Sequence, residues 1–157
     1  MQQNFNQAFS GFPETSRVWI YGSNREISIS EQQYILENLK EFTEQWATHG
    51  KELIASAEIF LANFVVFVVD ESRVKASGCS IDSSVRFIKV IGSELKIDFF
   101  NRLSMLIENE GNLERIHFND LNSKPNCFVF DTTIQNLGEF RTGFMKKIAD
   151  SKLVNTH

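Results

Sequence analysis

The chain is poor in the residues that usually announce a chemistry. It holds 2 cysteines, 2 prolines and 3 histidines in 157 residues. Cys79 and Cys127 make no C-x-x-C, which excludes the common zinc-ribbon and dithiol redox spacings. His49, His117 and His157 lie far apart, and no H-E-x-x-H occurs, so a helical zinc-protease motif is excluded. A phosphate loop of the G-x-x-x-x-G-K-[ST] type is missing. The one Gly-Lys pair, Gly50-Lys51, is followed by Glu52 and has Gln45 where the first glycine belongs. There is no G-x-G-x-x-G and no G-x-S-x-G, so neither a dinucleotide fingerprint nor a nucleophile elbow is present. No metal site and no cofactor are expected.

Long apolar runs and an excess of cations are also lacking. The longest apolar stretch, residues 60–69, is broken by Asn63 and falls short of the ~20 residues a membrane helix needs. Residues 1–12 are rich in Gln and Asn, without a basic start or an apolar centre, and do not read as a signal peptide. Lys and Arg number 16 against 20 Asp and Glu, a net charge of −4, which argues against a broad nucleic-acid surface. The expectation is a cytoplasmic protein with free thiols and neither a membrane nor a nucleic-acid partner.

What is present is enough for one folded domain: 42% hydrophobic residues, with 15 Phe. Residues 1–16 read as a loose leader, and residues 17–157 as a single α+β domain. Residues 17–21 are β-branched and aromatic, a strand closed by Gly22-Ser23-Asn24. Ser30, with Gln33 three residues on, reads as a capping box opening a helix whose apolar stripe runs through Ile35, Leu36, Leu39, Phe42 and Trp46 to a stop at His49-Gly50. Residues 52–61 and 64–70 read as a hairpin turning near Ala62-Asn63, its second strand apolar on both faces and therefore central. A second helix carries Ile81, Val85, Ile88, Ile91 and Leu95 on one stripe, and its Gly92 predicts close packing against a neighbour. A second hairpin (101–107, 113–118), a strand at 127–130 and a helix at 136–148 complete the series. The order is that of a ferredoxin-like βαββαβ unit with additions, and predicts an antiparallel sheet with helices on one face.

The densest chemistry lies where that second helix begins, at Ser77, Gly78, Cys79, Ser80, Ile81, Asp82, Ser83 and Ser84. Ser80 or Asp82 reads as the cap. Free N–H groups, hydroxyls and Arg86 one turn on make a cradle for a small polar or anionic ligand, although capping alone accounts for the same residues. Trp46 and Asp70 are candidate neighbours of that pocket. A thiolate at Cys79 would be favoured by the helix dipole, with His49 as base, whereas Asp82 in the same turn opposes a second anion. An inert, buried thiol is the plainer reading. Asp70-Glu71 closes the central strand and is equally an ordinary strand exit. Phe99 and Phe100 cannot both point inward from a regular strand. With the leader residues Phe5, Phe9 and Phe12 they suit an interaction or dimerisation surface, and core packing explains them as well.

Four stretches carry a family likeness: RVWIYGSNR (17–25), WATHG (46–50), SGCSIDSSVRFIK (77–89) and IDFFNRL (97–103). Together they resemble a group of small bacterial proteins labelled as ABC transporter ATPases, over residues 17–103. The label implies ATP hydrolysis. This chain, however, carries neither the phosphate loop nor a Leu-Ser-Gly-Gly signature. The leading expectation is therefore ligand binding at residues 78–84 without ATPase chemistry. Beside it stand an interaction or dimerisation module and a thiol enzyme built on Cys79 and His49.

Overall fold

A computed structural model describes residues 5–151. In chain order it contains β1 (Arg17–Gly22), α1 (Ile29–Gln45), the two-residue strands β2 (Ala47–Thr48) and β3 (Lys51–Glu52), β4 (Ile54–Phe60), β5 (Phe64–Asp70), α2 (Gly78–Leu95), β6 (Ser104–Asn109), β7 (Asn112–His117), β8 (Phe128–Phe130), α3 (Leu137–Gly143) and β9 (Met145–Lys147). The last six residues of the expected domain, His157 among them, and residues 1–4 of the expected leader lie outside the described residues.

β5 is the strand on which the rest is built. It is paired on both sides, in the antiparallel order β1-β5-β4. Phe64 through Val69 are each no more than 5% exposed, so both faces of the strand are covered. Successive side chains of a strand point to opposite faces. Val65, Phe67 and Val69 accordingly join Ile35 and Leu39 of α1 and Ile88 and Ile91 of α2 in one core. Phe64, Val66 and Val68 join Leu106, Phe130, Phe140 and Phe144 in another.

The α+β class, the single domain and the antiparallel pairing agree with the sequence pattern. The layering is richer than one sheet with helices on one face. A second sheet, β7-β6-β8-β9, is also antiparallel, and residues of β6 and β8, with α3, cover the face of β5 that α1 and α2 leave open. Strands β1, β5 and β4 are ordered as in a split βαβ unit. β6, which would lie beside β1 in a ferredoxin-like sheet, pairs with β7 and β8 instead. The outer edge of β1 is met at its start by the segment before α3: Val18 N–H donates to the Gln135 carbonyl at 3.0 Å.

Several boundaries differ from expectation for local reasons. Helix α1 is capped by Ser28, whose side chain accepts from Glu31 N–H while the Glu31 carboxylate accepts from Ser28 N–H. The Ser28-x-x-Glu31 box beats Ser30-x-x-Gln33 because Arg25 clamps the Glu31 carboxylate through two bonds of 2.8 Å. That partner holds the Glu31 carboxyl down at about 2. The helix ends at Gln45, and Trp46 is already extended. His49 (φ 51°) and Gly50 (φ 80°) form the tight turn between β2 and β3, a left-handed pair that suits a two-residue hairpin. His49 is therefore a hairpin tip and not a helix cap.

The segment expected to be loose is packed from Phe5 onward. The Phe5 ring meets Phe60, Phe140 and Phe144 at 5.2–6.0 Å, and Phe9 is 5% exposed. Arg141 donates to the carbonyls of Ala8, Phe9 and Phe12 and holds the segment down. The last helix is half its expected length. α3 stops at Gly143, and Met145–Lys147 pairs with β8, because the Phe144 carbonyl accepts from Asp131 N–H and the Lys146 ammonium reaches Asp131 at 2.6 Å.

Candidate functional site

The start of α2 is a closed network of hydroxyls. Ser77 is the cap, not Ser80 or Asp82: its Oγ accepts from Ser80 N–H at 3.2 Å, and Ser80 Oγ accepts from Ser77 N–H at 2.6 Å. Ser rather than Glu at the third helical position completes this box, which shortens its reach and draws Ser80 inward. There the Ser80 hydroxyl lies 3.1 Å from Thr48 Oγ1, and its carbonyl accepts from Trp46 Nε1 at 2.8 Å. One turn on, Ser84 donates to the Ile81 carbonyl and lies 3.2 Å from the Tyr21 hydroxyl. Burial raises the Tyr21 phenol above its ordinary value, and the bond to Ser84 acts against that rise. Ser80 and Ser84 are buried at 2% and 0% exposure.

The other half of the same turn faces outward. Gly78, Cys79, Asp82 and Arg86 are exposed. Asp82 has no ion-pair partner among the described residues, and Arg86 reaches Ser83 Oγ at 3.3 Å instead of pairing with it. Ser83 in turn donates to the Cys79 carbonyl. The structure thus brings Trp46, Thr48, Ser77, Ser80, Ser84 and Tyr21 together, and leaves Gly78, Cys79, Asp82 and Arg86 around them in solvent.

The hairpin that carries His49 does lie beside this turn, since Thr48 Oγ1 also accepts from Ser77 N–H at 3.3 Å. His49 and Cys79 are both exposed, and no hydrogen bond joins them among the described residues. Asp70 and Glu71 serve the turn that leads into α2. Asp70 accepts from Ser72 N–H and Glu71 from Ala76 N–H, with Arg17 Nε 4.0 Å from the Glu71 carboxylate. Among the described residues no three His, Cys, Asp or Glu side chains are grouped to hold a metal ion. Trp46 is core, as its ring contacts with Trp19, Phe42 and Phe67 require.

The opposite end of α2 is the more open feature, and no motif in the sequence marks it. A groove of about 400 Å³ lies between the last two turns of α2 and the returning segment 97–100. Lys89, Gly92, Ser93 and Lys96 follow one another at i, i+3, i+4 and i+7, which puts them on one stripe of the helix. Gly92 makes the return possible: a Cβ there would sit 2.5 Å from the Ile97 carbonyl oxygen. Lys96 closes the helix in the left-handed conformation (φ 58°), and Ile97 N–H then donates back to the Gly92 carbonyl at 2.9 Å.

Asn24 and Asp98 hold the far wall. Asn24 Oδ1 accepts from Asp98 N–H at 2.9 Å, and Asp98 Oδ1 accepts from Phe100 N–H at 2.8 Å. The two phenylalanines divide as their adjacency requires. Phe99 is buried at 4% exposure and Phe100 stands out at 42%, with its ring 5.8 Å from that of Tyr21 and Lys89 Nζ 5.6 Å from its centroid. Leu103, just beyond, is 58% exposed. Phe9 is buried in the core, and Phe5 and Phe12 are partly buried against it.

No family model, curated protein or solved structure matches this chain.

Proposed function

We propose that this protein is a binding module that docks another polypeptide through the groove at the C-terminal end of α2. The observation that carries this reading is the pairing of a groove of about 400 Å³ with the exposed aromatic ring of Phe100 in its lining. Exposed apolar side chains beside a concavity are the usual marks of an interaction site, whereas isolated ones are commonplace. The start of α2 supports a ligand pocket less well. Its inward hydroxyls already satisfy one another, so a ligand would have to break bonds in order to form its own.

A photo-crosslinking side chain placed at Ser93, in the groove, is compared with the same group at Ser83, at the far end of the helix. Discrete adducts from Ser93 alone, lost when Phe100→Asp is added, support docking at the groove. Equal labelling from both positions, or none from either, overturns it.

A further inference from the structure

The groove sets two cations and a carboxamide against a single carboxylate. Lys89 and Lys96 stand on one helical stripe, and neither has an ion-pair partner among the described residues. Because the Asn24 carboxamide spends its oxygen on Asp98 N–H, its NH2 is the end left for a ligand. The one carboxylate of the groove, Asp98, accepts from Phe100 N–H through Oδ1 and sets a single negative charge against the two ammonium groups. Residues 86–102 hold four cations, Arg86, Lys89, Lys96 and Arg102, against Glu94 and Asp98, in a chain whose net charge is −4. Glu94 is turned to the other side of the helix, where it accepts from the Tyr34 hydroxyl. The floor and rim are apolar, formed by Ile88, Ile97, Phe99 and the exposed ring of Phe100.

From this complementarity we infer that the groove takes an acidic, apolar peptide segment: an aromatic or aliphatic anchor against Phe100, with carboxylates on Lys89, Lys96 and the Asn24 amide. The inference rests on the docking reading above and adds the chemistry of the partner. Carboxylates fit because they only accept, and bonds to ammonium groups are about twice as strong as neutral ones. A cation of the partner would meet two ammonium groups and is disfavoured.

The test uses the full chain, isotopically labelled, titrated with synthetic peptides while the amide signals of Gly92, Ser93, Asp98 and Phe100 are followed. The first peptide has Phe-Leu at its centre, Glu on either side and blocked ends. The second replaces Glu by Gln, and the third is the Gln peptide with a free C-terminal carboxylate. The expected result is saturable shifts with the Glu peptide and binding at least about tenfold weaker with the blocked Gln peptide, a difference of about 1.4 kcal/mol. Added salt weakens the Glu peptide selectively, and Lys89→Gln with Lys96→Gln abolishes its advantage while leaving the far-UV spectrum unchanged. Recovery of affinity by the third peptide identifies a terminal carboxylate as the preferred acceptor.

Equal binding of the blocked Gln and Glu peptides overturns the acidic partner and leaves the docking site standing. No shift with any peptide overturns the acidic partner, and together with a negative crosslinking result it overturns the docking site as well. Shifts that grow with protein concentration alone make a second copy of this chain the occupant, and inorganic phosphate that reproduces the shifts and competes with the Glu peptide makes the groove a simple anion site. Either result overturns the inference.

Discussion

Gly92 shows how a single position connects a helix to the surface beside it. A glycine inside a helix costs ~1 kcal/mol relative to alanine, so on propensity alone Gly92→Ala should stabilise α2. The contact at 2.5 Å is with the Ile97 carbonyl, a backbone atom that cannot swing aside like the tip of a side chain. Overpacking of this kind costs ~1–3 kcal/mol, and the returning segment is pinned further by Asn24 and by the left-handed Lys96. The clash therefore wins. Gly92→Ala is expected to lose a net of up to ~2 kcal/mol in urea unfolding, the ~1–3 kcal/mol clash less the ~1 kcal/mol propensity gain, and to move the amide signals of Lys96 through Phe99, because the groove wall must shift to admit the methyl group. A variant more stable than the parent would show that the return is soft and that the groove is not held by this contact. The sequence pointed to Gly92 as a close approach and to Phe99-Phe100 as one inward and one outward residue. It gave no sign that the two features face each other, since their meeting depends on the turn at Lys96, where a non-glycine residue takes a left-handed conformation.

Among the elements, α1 and α2 are legible in the sequence, their starts and the short α3 much less so. The stripe of α1 and the second half of that of α2 were legible because burial repeats every third or fourth residue, whereas at the start of α2 Ser80 and Ser84 take the buried positions in place of Ile81 and Val85. The caps were not, because several Ser-x-x-polar frames overlap at each start and local spacing does not rank them. At α1, Arg25 selects the frame of Ser28 and Glu31. At α2, Thr48 and Trp46 select the frame of Ser77 and Ser80; Thr48 comes from a hairpin too short to leave a periodic signal, and Trp46 from the C-cap of α1 just before it. The hydroxyl cluster was thus found and its direction was not. Its role can be separated by two substitutions on the same turn. Ser80→Ala removes half of the capping box and the bond to Thr48 in a buried place, which costs ~1–2 kcal/mol. Ser83→Ala loses a partly exposed bond to the Cys79 carbonyl and should fall within about 0.5 kcal/mol of the parent. Equal losses, measured by thermal or urea unfolding, would mean that the inner network contributes no more than ordinary surface hydroxyls do.

At the scale of the whole molecule, two cores share one strand. Every residue from Phe64 to Val69 is buried, and alternate side chains belong to different cores, so loosening either layer exposes the other face of β5. Arg115 adds a polar tie between the layers. From β7 in the second sheet it donates to the Ser23 carbonyl at 2.9 Å and to Asn63 Oδ1, which reach it from the exit of β1 and the turn between β4 and β5. The central strand was legible from its unbroken apolar run. The second layer was not, because short strands such as β8 and β9 acquire their identity only from partners distant in sequence. If the layers are bound in this way, damage to one must be felt in the other. Phe140 is fully buried in the core formed with α3, whereas Trp19 and Trp46 lie on the opposite side of the sheet, with α1 and α2. Phe140→Ala should cost ~3–5 kcal/mol, as large-to-small changes at buried aromatics do. The tryptophan fluorescence midpoint in urea should then fall by the same amount as the midpoint from far-UV circular dichroism, in one coincident transition. A tryptophan signal that keeps its original midpoint, while circular dichroism acquires an earlier phase, would mean that the helical layer and β5 survive without the second sheet.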